Sequence, residues 1–346
     1  MRSVLLALAA LVAPALVAAQ DPLLYVTFHG GSGGVNTISS FQLDGTPVTA
    51  AVLVGDANAD GQTHRQEGKE RQGGADDRMI DRDAMAPSVC FSLCLSSLLL
   101  LNLELRSAVI LPDGTLLVAN AHKTSSSLGH YDGCAADGTR QYLEDWATTH
   151  VSHPYGLAVG ASASQGQETV VWATNQDTYD VVQFGLASAA WQSQIGQFGT
   201  NELRGLAFDA NSEKGTLYVA NEDTNSVMAY HTVTDEWEPA AFPNITDPVG
   251  LFIDIDARQI FIGSNGGTSA ASNVFLYDLD TRDLTQTYTD AGLQHPAGMV
   301  SYNGQLFVLS QTAGTLMQFD IDSGKLVATP ITSFADTPEQ LVLSPC

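Results

Sequence analysis

The hydrophobic and polar positions of the chain repeat as a unit of three short predicted strands. The clearest copy, LRGLAFDANSEKGTLYVANEDTNSVMAY from Leu203 to Tyr230, alternates apolar runs with the polar turn clusters SEKG and EDTNS. Other first strands begin at the same point of the pattern: Leu105, Pro154, Pro248, Pro296 and Pro338. The successive starts are 49, 49, 45, 48 and 42 residues apart. A period of this length predicts an all-β fold of repeated four-stranded blades.

The two ends of the chain predict how the blades close into a ring. Residues 23–28 (LLYVTF) match the second strand of the repeat, TLYVAN, and lack a first strand before them. That first strand is found in residues 338–346 (PEQLVLSPC), which match LRGLAFD and then stop. Pairing the two segments removes the exposed edges of an open ring. We therefore predict a six-bladed β-propeller, closed by pairing the C-terminal strand with the N-terminal blade.

The repeat resembles the NHL and YVTN classes of β-propeller repeat. PYGLAV, LRGLAF, PVGLFI and PAGMVS carry the first half of the resemblance, and LLVANA, LYVANE and FIGSNG carry the second. It covers nearly all of residues 21–58 and 105–346, and it departs from the pattern at Gln311, which replaces the Asn. This class includes lyases, lactonases, receptor ectodomains and binding scaffolds. The resemblance therefore implies the fold and leaves the function open.

The first 19 residues predict export. Arg2 precedes an apolar run, and the small residues Val17 and Ala19 stand where a signal peptidase reads, so we expect a signal peptide over residues 1–19. A buried N-terminal helix is the alternative. The only glycosylation sequon begins at Asn244 in a Pro-flanked loop, which fits a secreted, extracellular glycoprotein. Residues 20–346 are predicted to form a single domain.

Residues 60–104 interrupt the repeat. A polar stretch of mixed charge is followed by VCFSLCLSSLLLL, and we interpret the segment as a disordered insertion or as a retained intron. The intron interpretation rests on Phe, Ser, Leu and Cys, which pyrimidine-rich codons encode ahead of a splice acceptor. A packed helix and a membrane-dipping hairpin are the alternatives, and the apolar run is too short to span a bilayer unaided.

Two of the four cysteines, Cys90 and Cys94, fall in this segment. Cys134 and Cys346 remain as a predicted disulfide, which an exported protein can form. The alternative is that both are free thiols.

The charge balance limits the partners. The chain has 38 acidic and 14 basic residues and a formal net charge of −24. Such a surface repels phosphate backbones and anionic lipids, so we expect no nucleic-acid binding and no stable membrane insertion. Cations and neutral or basic ligands remain possible, and we expect a monomer.

Candidate chemistry lies on one face of the predicted ring. In a propeller, the loop before each first strand and the loop between the second and third strands surround the central channel on the same side. We call the residue before each first strand its lead residue. Four of these could bind a divalent metal such as Ca or Zn: His153, Glu202, Asp247 and His295. Turn residues that bond neighbouring backbone are the alternative.

A second set of candidates follows the second strands. The predicted ligand-binding residues are Asn120, Asn175, Asn221 and Asn265, with Tyr155 and Arg204 at the second position of their first strands. The alternative for the four Asn residues is structural, because Asn caps turns and a residue repeated in nearly every blade serves the repeat.

The sequence predicts a secreted binding or scaffold protein that recognises a protein, peptide or glycan on its channel face. The alternative is a divalent-metal-dependent lactonase or lyase with its site at the central channel. Whether the chain is an enzyme stays open, because no Ser/His/Asp order, Walker loop, HExxH or CxxC is present.

Overall fold

The structure is a computed structural model. It describes residues 22–29, 38–49, 52–54, 104–122, 125–135, 138–162, 166, 168–267 and 271–344. The secondary structure of these residues is entirely β, and they include no helix of the length and hydrophobicity needed to cross a membrane.

The described strands form six sheets, and we number these blades in the order in which they surround the channel. The strands of the first three blades, written from the channel outward, have the following bounds. Blade 1 contains β25 (Pro338–Ser344), β1 (Leu23–Phe28), β2 (Ser39–Phe41) and β3 (Pro47–Thr49). Blade 2 contains β5 (Leu105–Ile110), β6 (Leu116–Asn120), β7 (Ser127–Tyr131), β8 (Arg140–Ala147) and β4 (Leu53–Val54). Blade 3 contains β9 (Pro154–Ser162), β10 (Glu168–Asn175), β11 (Asp180–Gly185) and β12 (Trp191–Gln197).

The other three blades follow the same order. Blade 4 contains β13 (Leu203–Asp209), β14 (Thr216–Asn221), β15 (Ser226–His231) and β16 (Glu236–Pro243). Blade 5 contains β17 (Pro248–Asp254), β18 (Gln259–Ser264), β19 (Asn273–Asp278) and β20 (Leu284–Tyr288). Blade 6 contains β21 (Pro296–Tyr302), β22 (Gln305–Ser310), β23 (Thr315–Asp320) and β24 (Leu326–Ile331). The prediction of four strands per blade is wrong for blade 2, where β4 adds a fifth strand, parallel to β8.

Burial along each blade explains the strand sequences. The second and third strands lie between neighbouring blades, so β14 (TLYVAN) and β15 (SVMAYH) are buried at every position. A strand covered on both faces reads as a continuous apolar run. The outer strand β12 (WQSQIGQ) has solvent on its outer edge and is exposed or half-buried throughout, which accounts for its polar sequence.

The first strands form the inner ring of the propeller. Each one contacts the first strand of the next blade, from β5 through β9, β13, β17 and β21 to β25, which contacts β5 again. The closing strand β25 pairs antiparallel with β1, with Leu343 opposite Leu24 and Val342 opposite Tyr25. The prediction of a six-bladed propeller closed by the C-terminal strand is therefore confirmed.

Four glycines bring the first strands into close contact. Gly156, Gly205, Gly250 and Gly298 occupy the third position of their strands, and we call this group the glycine waist. A Cβ atom at Gly156 would lie 2.6 Å from the Arg204 carbonyl oxygen, and a Cβ atom at Gly205 would lie 2.7 Å from that of Val249. Only a residue without a side chain fits such an approach. The P-x-G pattern of the repeat is thus a packing requirement of the channel.

Two threonines join neighbouring blades through the same pattern of hydrogen bonds. The Thr174 hydroxyl accepts a bond from Gly156 N at 2.7 Å and donates to the Arg204 carbonyl at 2.9 Å. The Thr27 hydroxyl accepts from Gln340 N at 2.9 Å and donates to the Arg106 carbonyl at 3.0 Å. These bonds satisfy backbone groups beside the channel, where an unpaired group would destabilise the fold.

Several sequence predictions fall wholly or partly outside the described residues. The signal peptide and residues 60–103 are among them, so these interpretations stay predictions. Cys134 is disulfide-bonded, and Cys90, Cys94 and Cys346 all lie outside the described residues. Pairing with Cys346 therefore stays a prediction. Cys134 does pack in one hydrophobic cluster with Val342, close to the end of β25.

Candidate functional site

The lead residues and the loops that follow the second strands lie together on one face of the ring, which we call the upper face. In every blade the lead-residue carbonyl accepts a hydrogen bond from the backbone N–H of the residue after the second strand. The six bonds run from His29 to Thr337, from Ala121 to Glu104, from Gln176 to His153, from Glu222 to Glu202, from Asn265 to Asp247 and from Gln311 to His295. This bond sets the register between the two loops in all six blades.

Three lead residues are also fixed by the preceding blade. Their backbone N–H groups donate to a side-chain oxygen: His153 to Ser126 at 2.9 Å, Asp247 to Asn225 at 3.0 Å and His295 to Ser272 at 3.2 Å. All three have positive φ values of 52°, 43° and 53°. His and Asp are among the non-glycine residues that adopt this conformation more readily. These contacts support the alternative that the lead residues serve as turn residues through their backbone. Their side chains lie on the upper face.

The predicted asparagine ring serves the turns. Asn175 is buried, accepts from Ser152 N at 3.0 Å and donates to the His150 carbonyl at 3.0 Å. Asn120 and Asn221 are buried as well, and each accepts a backbone N–H from its own loop. These contacts support the structural alternative, and ligand binding by these residues stays a prediction.

Asn265 does not belong to the same set. The residue opposite the start of each first strand is Asn120, Asn175 or Asn221 in blades 2, 3 and 4, but Ser264 in blade 5. Asn265 lies one residue further along the chain, and Gln311 stands in the same relation to Ser310 in blade 6. Asn265 therefore lies one residue beyond the asparagine ring to which the sequence assigned it, and ligand binding by Asn265 stays a prediction.

The second positions of the six first strands surround the channel at the upper face, and we call them the channel ring. They are Arg106, Tyr155, Arg204, Val249, Ala297 and Glu339. Five of them line one small cavity of about 20 Å³. The sixth, Arg204, lies beside it, with its guanidinium carbon 5.1 Å from the centre of the Tyr155 ring. This volume accommodates about one water molecule.

On one side of the channel ring, Glu339 and Arg106 form a buried ion pair. The Arg106 Nη1 donates to Glu339 Oε1 at 2.7 Å, and the two side chains are 9% and 1% exposed. His29 completes a triangle, because its Nδ1 lies 2.9 Å from Glu339 Oε1 and its Nε2 lies 3.2 Å from Arg106 Nη2. Since Arg106 can only donate, His29 accepts at Nε2 and donates from Nδ1.

On the other side, Arg204 is held by two carboxylates. Its Nε donates to Glu222 Oε2 at 2.5 Å, and its Nη2 lies 2.9 Å from Glu202 Oε1. Tyr155 lies between the two arginines, with the guanidinium carbon of Arg106 5.7 Å from its ring centre. Burial raises the pKa of the Tyr155 hydroxyl, with a further contribution from the Glu339 charge. Tyr155 therefore stays protonated at neutral pH.

Several polar groups of the ring have no partner among the described residues. Glu339 Oε2 and Arg106 Nε are buried and make no hydrogen bond there, and none of the described residues bonds the Tyr155 hydroxyl. Buried carboxylate oxygens are normally satisfied by protein or water. A buried free carboxylate oxygen beside a small cavity is the arrangement expected where a water molecule or a ligand group completes the site.

The predicted metal ligands do not form a shared group. Among the described residues, no three His, Cys, Asp or Glu side chains are placed to hold a metal ion. His153 contacts Asp177 at 3.4 Å and Glu104 at 3.8 Å, whereas burial and the Arg204 charge lower the pKa of His295. Glu202 instead contacts Arg204. These residues do not fit the Ca or Zn site of the prediction, and metal binding stays a prediction without a supporting ligand set.

Of the partners of the arginines, Glu202 was a predicted site residue, whereas Glu339, His29 and Glu222 were not among the predicted site residues. The repeat pattern was the sequence signal that could have identified them. Glu339 stands at the position of Arg106 and Arg204 in its strand, and His29 stands at the position of Glu222 after its second strand. The match of PEQLVLSPC to LRGLAFD already places Glu339 at the position of Arg204, so the sequence did contain this signal.

The large aromatic residues mostly join blades. The Trp237 Nε1 donates to the Ile195 carbonyl of blade 3 at 2.6 Å, and the Tyr288 hydroxyl donates to the Ile321 carbonyl of blade 6 at 3.0 Å. Trp146 is buried against Phe184. Trp191 is the exception, since it is 42% exposed and stacks on His150 with ring centres 4.2 Å apart.

Comparisons with known proteins agree with the fold. No protein-family model matches the chain, and no curated protein is similar to it in sequence. One similar solved structure is described as the crystal structure of a nidogen/laminin complex, with a TM-score of 0.60 and 12% sequence identity. The match covers 93% of this chain and 98% of that one. At this identity the similarity establishes a shared β-propeller fold and does not establish a shared function.

Proposed function

We propose that this chain is a secreted β-propeller that binds a protein partner at the channel ring, through a cationic side chain of the partner. The observation that carries the proposal is Glu339, whose carboxylate is 1% exposed and whose Oε2 has no partner among the described residues. We also propose that the repeat is of the NHL or YVTN type.

We further propose that the chain is exported and is glycosylated at Asn244. This residue is exposed in the loop after β16.

The charge of the upper face supports a cationic partner. Carboxylates surround the channel ring and exceed the two arginines, both of which are already paired with glutamates. Those with described side chains are Glu104, Asp177, Glu202, Glu222, Asp223 and Asp247. A cleft of one charge sign attracts the opposite charge and raises the rate of association. The cavity beside Glu339 accommodates about one water molecule, so a lysine or arginine side chain above the ring would reach the free oxygen through that water.

A protein partner is favoured over a glycan. Sugar binding commonly uses an exposed aromatic face, and Tyr155 in the channel ring is 7% exposed and flanked by two guanidinium groups. The exposed Trp191 belongs to the outer strand β12, away from the ring. The nidogen/laminin structure is a complex of proteins by its own description, which is consistent with this choice. No observation favours the metal-dependent lactonase or lyase.

The test is selection of peptides from a random phage-displayed library on the immobilised chain. We expect the selected peptides to be enriched in Lys or Arg, and synthetic copies to lose roughly tenfold or more in affinity on Glu339→Gln. The matched control is Glu144→Gln, which makes the same change at a 64% exposed glutamate of strand β8.

Two outcomes would contradict the proposal. One is a set of selected peptides without basic residues. The other is equal binding of the basic peptides to the wild-type chain and to Glu339→Gln, which would place their site elsewhere. If the chain selects no peptides but binds sugars on a glycan array, the result would support a sugar ligand instead.

A further inference from the structure

The lower end of the channel is a wide apolar cavity. It has a volume of about 530 Å³ and is lined by the fourth to sixth residues of all six first strands. Representative lining residues are Val159, Phe208, Ile253, Met299 and Leu343. We call this cavity the apolar funnel. It opens at the face opposite the channel ring, because the first strands begin at the upper face and end at the lower one.

At its inner end the funnel meets the small upper cavity. The glycine waist lies between the funnel and the channel ring, and the backbones of adjacent first strands meet there. Leu157, Leu206, Leu251 and Gln340 line both the small upper cavity and the funnel. The two cavities therefore adjoin along the channel and differ in chemistry, because the upper one is bordered by Arg106 and Glu339 and the funnel wall is apolar.

The funnel wall carries no charged side chain among its described residues. Ser301 and Gln340 are its only polar side chains there, and the Ser301 hydroxyl already donates to Asp254 Oδ2 at 2.7 Å. The remaining polar groups are backbone groups, because each first strand is the inner edge of its sheet and has one unpaired row. Apolar walls with a few fixed polar groups are characteristic of small-molecule sites of about 300–1,000 Å³.

The geometry points to the apolar funnel as a binding site for a neutral, predominantly apolar small molecule. A cavity of this size holds many water molecules against walls that offer them few side-chain partners. Displacing such water by apolar atoms is favourable. A ligand with one or two polar atoms could use the unpaired backbone groups. This inference does not depend on the proposed function of the upper face.

The charges around the funnel mouth select against anions. The ends of the first strands and the turns that follow them in blades 2, 4 and 5 carry the acidic residues Asp113, Asp209, Glu213, Asp254 and Asp256 and the basic residue Lys214. Arg258 lies among them and pairs with Asp209 at 2.6 Å and with Asp280 at 2.7 Å. The excess of carboxylates repels an anionic headgroup such as that of a fatty acid. A neutral molecule is therefore preferred over an anion of the same shape.

Two fluorescent probes that differ in one charge test this inference. N-phenyl-1-naphthylamine is neutral, and 1-anilinonaphthalene-8-sulfonate has the same ring system with a sulfonate. We expect the full chain to bind the neutral probe saturably at one site, at least about tenfold more tightly than the sulfonate. Absence of saturable binding, or tighter binding of the sulfonate, would overturn the inference.

Variants in the funnel locate the site. Ile253→Lys places a charge in the wall, and Ser301→Trp fills part of the volume; each is expected to weaken binding of the neutral probe at least about tenfold. The matched controls Ile253→Leu and Ser301→Ala are expected to bind it within about twofold of wild type. The melting temperature of each variant establishes that it is folded. Unchanged binding in both folded funnel variants would place the probe elsewhere and refute the proposal.

Discussion

The Arg106 guanidinium donates to the Glu339 carboxylate at 2.7 Å across a sequence separation of 233 residues. Glu339 belongs to the closing strand β25 of blade 1, and Arg106 belongs to β5 of blade 2. The pair therefore joins the closing strand to the next blade at the upper face. It serves the closure of the ring as well as the candidate site.

Removing one member of this pair should be costly. Glu339→Ala leaves the Arg106 charge buried without its carboxylate, and we expect the free energy of unfolding to fall by about 3–5 kcal/mol. Urea unfolding measures the change. Glu238→Ala is the comparison, because its pair with Arg282 is about one-third exposed on both sides and should contribute only about 0–1 kcal/mol. Equal losses in the two variants would contradict this account of Glu339.

The glycine waist should not tolerate a methyl group. In Gly250→Ala the added Cβ would overlap the Ala297 carbonyl of blade 6, so we expect a loss of about 1–3 kcal/mol in the free energy of unfolding. Gly133→Ala is the matched control, because a Cβ there meets no atom within 4 Å. It should change stability by less than about 0.5 kcal/mol. Wild-type stability in Gly250→Ala would show that the first strands can separate at the waist.

His295 should make stability depend on pH. Burial, followed by the Arg204 charge, lowers the pKa of His295 below its ordinary value of 6.5. The unfolded chain therefore binds a proton at His295 more readily than the folded chain does. The stability that the neutral His295 provides is fully present above about pH 6.5, and it is lost as the pH falls below that value. Urea unfolding of His295→Gln at pH 7.5 and 5.5 should show a smaller loss than wild type. An identical loss would remove His295 as a cause.

His231 is expected to act in the same direction. Burial and the Lys214 charge lower its pKa, and its Nε2 lies 3.6 Å from Glu238. The double variant His231→Gln/His295→Gln should therefore be less sensitive to acid than either single variant. A pH profile in which the second substitution has no further effect would limit the acid sensitivity to one histidine.

The disulfide of Cys134 should join the closing strand to blade 2. We expect peptide mapping without reduction to find Cys134 linked to Cys346, and Cys346→Ser to reduce the free energy of unfolding by about 2–4 kcal/mol. Ser344, two residues earlier, already accepts a hydrogen bond from the buried Arg140 at 3.3 Å. A link from Cys134 to Cys90 or Cys94 would contradict the predicted pairing.

The repeat made the fold predictable from the sequence. Strand starts at Leu105, Pro154, Leu203, Pro248 and Pro296 coincide with the first residues of the observed first strands, and the closing strand begins at Pro338 as predicted. A repeated apolar pattern records the same burial several times, so errors in one copy are corrected by the others. Strand β4 escaped prediction because two residues are too few to show a period.

The candidate site was harder to predict, because its chemistry lies where the blades differ. Tyr155 and Arg204 were identified from their position, whereas Glu339 was not, although it occupies the same position in β25. The ion pair with Arg106 depends on ring closure, which places the ends of a long chain side by side. The buried state of Asn175 was likewise invisible, since an Asn that caps a turn and an Asn that binds a ligand read the same in sequence.

Closure by β25 also sets the order of events during synthesis. The N-terminal strand β1 leaves the ribosome more than 300 residues before its partner, since Leu24 pairs with Leu343. Until then the edge of β1 and the Arg106 guanidinium both lack their final partners. The four antiparallel strands of each of blades 2 to 6 can pair as soon as they emerge, because these strands are sequence neighbours. Blade 1 must wait for the last strand, so a ribosome that stalls late leaves an open ring with a strand edge available to other chains.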